Sequence, residues 1–127
     1  MSFSHVVAWI DHAEAHIIHF SRDEAEAQVI KTHARHSHQH VRAGAHGSGH
    51  APENAAYFND IAQAVRDALV VLVVGPGLEK LALMKHWLQH QPGVAEKVIS
   101  VETLDHPSDG QLLKYARKYF VKADLFR

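Results

Sequence analysis

The sequence predicts a single α/β domain built on a mixed five-stranded sheet with helices on both faces. Three observations carry that expectation: three consecutive strand-like segments at the start, a continuous apolar run Val70-Val71-Leu72-Val73-Val74, and helical spacing of apolar residues on either side of that run. The 127 residues suit one domain, 1–127, and 46% of them are hydrophobic against 21% charged. That balance is characteristic of a packed globular chain and argues against wholesale disorder. The longest strictly apolar stretch, Ala68 to Val74, falls far short of the roughly 20 residues that a membrane-spanning helix needs, so no membrane partner is expected. The N-terminus has neither a basic nor an apolar signal region, and the absence of cysteine removes thiol catalysis, disulfides and thiolate metal sites. A cytoplasmic location is the expectation.

The elements follow in order. His5 to Asp11 is β-branched and aromatic, and Asp11-His12 reads as a turn. Ala13 to Phe20 continues as a second strand before the polar break Ser21-Arg22-Asp23-Glu24, and Glu26 to Thr32 gives a third. Connections this short favour antiparallel pairing, hence a meander. From His33 to Ala51 no period survives, and this stretch is expected to be a long mobile loop. Pro52 suits the start of a helix whose apolar positions are Tyr57, Phe58, Ile61, Ala62, Val65, Ala68 and Leu69. The run Val70 to Val74 fits a strand buried on both faces, broken by Gly75-Pro76-Gly77. Leu78, Leu81, Met84, Trp87 and Leu88 mark a second helix, stopped near Gln91-Pro92-Gly93, and Val98 to Val101 supplies a last strand. Ser108 with Gln111 is a capping-box pattern opening a helix that turns Leu112, Leu113, Ala116, Tyr119 and Phe120 inward. The order β-β-β-α-β-α-β-α, with parallel right-handed crossovers in its second half, is that of the ribonuclease H-like architecture.

Specific residues also resemble a translation family. The strand pair around Trp9-Ile10-Asp11 and Glu14-Ala15-His16-Ile17, the loop His46-Gly47-Ser48-Gly49 leading to Tyr57-Phe58, and Leu72-Val73-Val74 followed by Gly75-Pro76-Gly77-Leu78-Glu79-Lys80 are similar to the middle domain of the eukaryotic and archaeal class 1 peptide-chain release factor. The same domain occurs in its relative Pelota and resembles stand-alone bacterial translational machinery proteins. The resemblance covers nearly the whole chain and implies a ribonuclease H-like fold and a ribosome- or RNA-associated module. Release factors carry Gly-Gly-Gln in this loop, and its glutamine positions water at the peptidyl-tRNA ester. Here the stretch is Gly49-His50-Ala51, so the resemblance implies no hydrolase role.

The charged and histidine residues supply the candidate sites. Thirteen histidines stand in the chain, six of them (His33, His36, His38, His40, His46 and His50) within 33–50, while the formal charge is only −1. Histidines titrate just below neutrality, so the chain becomes more positive in mild acid. A solvated, compositionally biased loop that scavenges metal weakly is the plainest account of this segment. A polyanion-contacting loop is the sharper one, with Lys31, Arg35 and Arg42 as fixed cations beside His46, Gly47, Gly49 and His50. His36, His38 and His40 alternate, and imidazoles suit zinc or nickel, but no carboxylate lies between Glu26 and Glu53 to complete such a centre. No cofactor is expected beyond adventitious zinc or nickel.

His86 and His90 are a one-turn pair, but Trp87 stands where a zinc protease needs glutamate. Gly75-Pro76-Gly77 reads as a structural turn, since Lys80 stands where a dinucleotide fingerprint needs glycine. Asp11, Glu102, Asp105 and Asp109 are candidates for a metal-dependent nuclease, although turn and helix-start chemistry favours aspartate at three of those positions. Lys114, Arg117 and Lys118 make the last helix basic. The expected function is a non-enzymatic RNA- or ribosome-binding module, with a nuclease or a histidine-loop metal binder as the alternatives. Self-association into a homo-oligomer is compatible with the sequence.

Overall fold

The computed structural model describes residues 4–32 and 51–123, with the side chains of 51–54 excepted. Among the described residues nine elements follow one another: β1 (His5–Ile10), β2 (Glu14–Phe20), β3 (Ala25–Lys31), α1 (Ala51–Val65), β4 (Val70–Gly75), α2 (Glu79–His90), α3 (Pro92–Ala95), β5 (Val98–Thr103) and α4 (Asp109–Lys122). The strands form one sheet in the order β3-β2-β1-β4-β5. The β1–β2–β3 meander is antiparallel, and β4 and β5 add in parallel beside β1. This is the mixed, five-stranded ribonuclease H-like arrangement.

Alternation along the inner strands sorts the core into two layers. Val6, Ala8, Ile10, Ala15, Ile17, Val71 and Val73 face Tyr57, Phe58 and Ile61 of α1, Leu83 and Trp87 of α2, and Val94 of α3. Val7, Trp9, Ile18, Phe20, Leu72 and Val74 face Leu112, Ala116 and Phe120 of α4, which covers that side. The expected capping box is formed: Ser108 Oγ accepts from the Gln111 amide at 3.2 Å, and Gln111 Oε1 accepts from the Ser108 amide at 2.9 Å.

Three local expectations are corrected. Helix α1 ends at Val65, so Ala68 is buried from the turn that follows, while Leu69 is 72% exposed. On α2 the expected set divides between two stripes: Trp87 is buried together with Leu83, and its indole N–H donates to the Phe58 carbonyl at 3.0 Å. The other stripe, Leu78, Leu81 and Leu88, faces outward. Finally, the expected stop at Gln91-Pro92-Gly93 is followed by the four-residue helix α3, because Pro92 at its first position already has helical φ and needs no N–H partner there. The expected mobile loop lies, except for Ala51, outside the described residues.

Gly75 ends β4 at a point of close backbone approach. A Cβ there would stand 2.3 Å from the Ile10 carbonyl oxygen, a rigid atom of the neighbouring strand. Gly75→Ala is therefore expected to destabilise the domain by about 3 kcal/mol as strand β1 is pushed aside. Urea denaturation measures this, and a midpoint equal to the wild-type value would refute it. Beside it, Lys80 is buried and its ammonium donates to the Gly77 carbonyl, which closes the turn from within.

Candidate functional site

Of the described candidates for phosphate contact, Lys114, Arg117 and Lys118 lie on α4 and Lys31 on β3. Lys114, Lys118 and Lys122 recur every four residues and are all exposed, forming one basic stripe along the solvent face of the helix. Arg117 points elsewhere. Its Nε donates to the Ser21 carbonyl at 3.0 Å and its Nη2 to the Glu24 carbonyl at 3.1 Å, so this guanidinium ties α4 to the β2–β3 turn. Lys31, at the end of edge strand β3, is exposed with Nζ 3.7 Å from Glu14 Oε1. Arg35, Arg42, His46, Gly47, Gly49 and His50, with His36, His38 and His40, lie outside the described residues.

The four nuclease candidates do not act as one group. Glu102 accepts from the Ser100 hydroxyl on β5. Asp11 holds the β1–β2 turn, its Oδ1 accepting from the amides of Ala13 at 2.8 Å and Glu14 at 2.9 Å. Asp105 and Asp109 each meet a histidine instead. Among the described residues no three His, Asp or Glu side chains are placed to hold a metal ion together.

Those histidines build a constellation at the C-terminal end of β1. His16 has Nε2 2.8 Å from Glu14 Oε2 and Nδ1 2.9 Å from Asp109 Oδ1. Ionised carboxylates only accept, so both ring nitrogens donate and the ring is an imidazolium in this arrangement. Partial burial works against that charge, but Glu14 and Asp109 outweigh it and hold His16 above the usual imidazole range. His106 is a second bridge, with Nδ1 2.9 Å from Asp105 Oδ1 and Nε2 3.6 Å from Asp11 Oδ2. Asp105, and secondarily Asp11, raise this exposed ring above its ordinary value. In return, the His16 hydrogen bond lowers the Glu14 carboxyl. At Asp11 burial pushes upward, yet the amides of Glu14 and Ala13 prevail and hold the carboxyl low.

Trp9 stands between the two bridges. Its ring centroid is 5.6 Å from that of His16 and 5.0 Å from that of His106, both edge-on. Its indole N–H donates to the carbonyls of Leu104 at 3.2 Å and Asp105 at 2.6 Å, and Tyr57 donates to the Asp11 carbonyl at 3.0 Å. The β1–β2 turn and the β5–α4 connection are thus locked together, and the first turn of α4 is fixed to β2.

His16 and His106 were invisible as a pair to sequence reasoning. Period-two alternation places Glu14 and His16 on one face of β2, but Asp109 is 93 residues away and only the topology brings it there. His86 and His90 do meet on α2, with ring centroids 4.6 Å apart.

No protein-family model matches the chain, and no curated protein sequence matches it. Solved structures do resemble it. The Pelota protein of Thermoplasma acidophilum is similar at a TM-score of 0.63 and 16% identity, over 95% of this chain and 32% of that one. The archaeal translation termination factor aRF1 gives 0.61 and 14%, over 97% of this chain and 36% of its own. Dom34 of S. cerevisiae, described as a translation termination-like factor involved in RNA quality control pathways and interacting with Hbs1, gives 0.61 and 10%, over 96% and 34%. The chain spans about a third of the length of each of these proteins. Its fold is that of the middle domain which Pelota shares with the release factor.

Proposed function

We propose that this chain is a ribosome-associated, RNA-binding module of translation that does not hydrolyse peptidyl-tRNA. The observation that carries the reading is the fold, matched over nearly the whole chain by Pelota, by the translation termination factor aRF1 and by the translation termination-like factor Dom34. The exposed lysine stripe of α4 supports it, because evenly spaced cations on one face suit a phosphate backbone. Lys114, Lys118 and Lys122 contact phosphate, and Arg117 sets the position of the helix that carries them. Lys31, Arg35, Arg42, His46, Gly47, Gly49 and His50 make a second contact from the segment between β3 and α1, where Gly49-His50-Ala51 lacks the glutamine that orients water. Such a module works in the cytoplasm.

Two measurements test the proposal together. The chain is expected to pellet with ribosomes through a sucrose cushion at low salt, and to release no peptide from peptidyl-tRNA above a no-protein control. Absence from the ribosomal pellet refutes the binding, and peptide release abolished by His50→Ala refutes the lack of hydrolysis. Incubation with labelled RNA and magnesium or manganese addresses the nuclease alternative, for which a cleavage product lost on Asp11→Asn would be required.

A further inference from the structure

Helices α1 and α2 meet along a polar rim that the proposed RNA contacts do not use. His86 and His90 stand one turn apart on α2, their rings tilted by 37° at 4.6 Å between centroids. Two imidazoles sharing one tetrahedral ion, at metal–nitrogen bonds of about 2.0–2.1 Å, have ring centres roughly 5 Å apart. The pair already has close to that spacing.

The surroundings of His86 add a second, independent feature. Its Nε2 is 2.9 Å from Asn59 Oδ1 on α1, and the same oxygen accepts from Gln91 Nε2 at 3.1 Å. With that oxygen facing both neighbours, His86 Nε2 carries the hydrogen and Nδ1 keeps its lone pair. A metal-bound histidine has this arrangement, one ring nitrogen on the ion and the other donating to a fixed oxygen. Phe58 packs against the same His86 ring at 5.6 Å between ring centroids.

We propose that His86 and His90 form a two-histidine site for a divalent transition ion of the zinc class, with Asn59 as the positioning residue that orients His86. The ligands are imidazole nitrogens, which favour zinc, copper or nickel over magnesium or calcium. No third His, Asp or Glu joins the pair among the described residues, so water completes the coordination and the ion exchanges readily.

The probe is Zn2+ alone, titrated by calorimetry into the full chain with His33, His36, His38, His40, His46 and His50 replaced by glutamine, which silences competing ligands. One ion per chain is expected. His86→Gln and His90→Gln each weaken binding at least about 10-fold, and Asn59→Ala weakens it about 10-fold through loss of the orienting oxygen. Two-bond 1H–15N spectra of the unsubstituted chain need no variant, and are expected to show zinc on His86 Nδ1 with Nε2 still protonated. No binding in the glutamine background, an affinity in either histidine variant equal to that of its parent, or zinc on His86 Nε2 would each overturn the site.

Discussion

Replacing Lys114, Lys118 and Lys122 with glutamine is expected to lower affinity for ribosomal RNA about 100-fold at about 0.1 M salt. The magnitude follows from counterion release: each neutralised phosphate contributes about −0.7 to the slope of log affinity against log salt on single strands, so three contacts give a slope change of about 2 and a factor near 100. All three side chains are exposed, and glutamine matches lysine in helix propensity, so the fold is expected to persist. The unfolding midpoint of the variant checks that directly. A second arm concerns pH. If the histidines between β3 and α1 add charge, wild-type binding is tighter near pH 6 than near pH 8 and its salt slope is steeper at pH 6. His36→Gln, His38→Gln and His40→Gln together then remove the pH effect, while the α4 variant weakens binding at both pH values. Fluorescence anisotropy across a salt series at each pH gives all of these numbers. Unchanged affinity and slope in the lysine variant would move the binding surface away from α4.

The helix that carries those lysines illustrates what was legible in the sequence. Ser108, Gln111 and the inward set Leu112, Ala116 and Phe120 are local signals, because a cap and a 3.6-residue period need no knowledge of the rest of the chain. The sense of strand pairing is likewise readable, since short connections favour a meander and helical crossovers favour parallel neighbours, whereas the placing of β4 beside β1 is set by the fold as a whole. Local signals fail where two choices are locally equivalent. On α2, Leu78, Leu81 and Leu88 fit a helical period as well as Leu83 and Trp87 do, and only the shape of the opposing sheet and α1 decides which are buried. They fail again at the histidine–carboxylate bridges. Asp11, Asp105 and Asp109 stand out as carboxylates near strand ends and helix starts, but their partners His16 and His106 come from elsewhere in the chain or from an unremarkable connection. Arg117 is a third instance: as one of five cations near the end of the chain it reads as a phosphate contact, whereas the fold brings two carbonyls of the β2–β3 turn within reach of its guanidinium.

The bridges around Trp9 predict a distinct dependence of stability on pH. Trp9→Ala is expected to cost about 3–5 kcal/mol, because it removes a buried indole together with its hydrogen bonds to Leu104 and Asp105. The histidine part is smaller but carries a sign. His16 has its folded value raised above the unfolded one, so its contribution is fully present below about pH 6.5 and is lost as pH rises through the folded value. Asp11 and Glu14 have lowered folded values, so their contributions are present above about pH 4 and are lost as pH falls through those values. Stability therefore peaks between about pH 4.5 and 6.5 and declines toward pH 8 and beyond. His106 adds to the same alkaline limb. Solvent screening holds the His16 share to about 1 kcal/mol. His16→Gln cannot donate to Glu14 and Asp109 as an imidazolium does, so it is less stable than wild type at pH 6, and the difference shrinks as pH rises through the folded value of His16. Urea denaturation from pH 4 to 9, compared between wild type and His16→Gln, isolates this term from every other titrating group. If the two profiles ran parallel across that range, His16 would not be charged in the folded protein, and the tie between β2 and the first turn of α4 would have to be a neutral one.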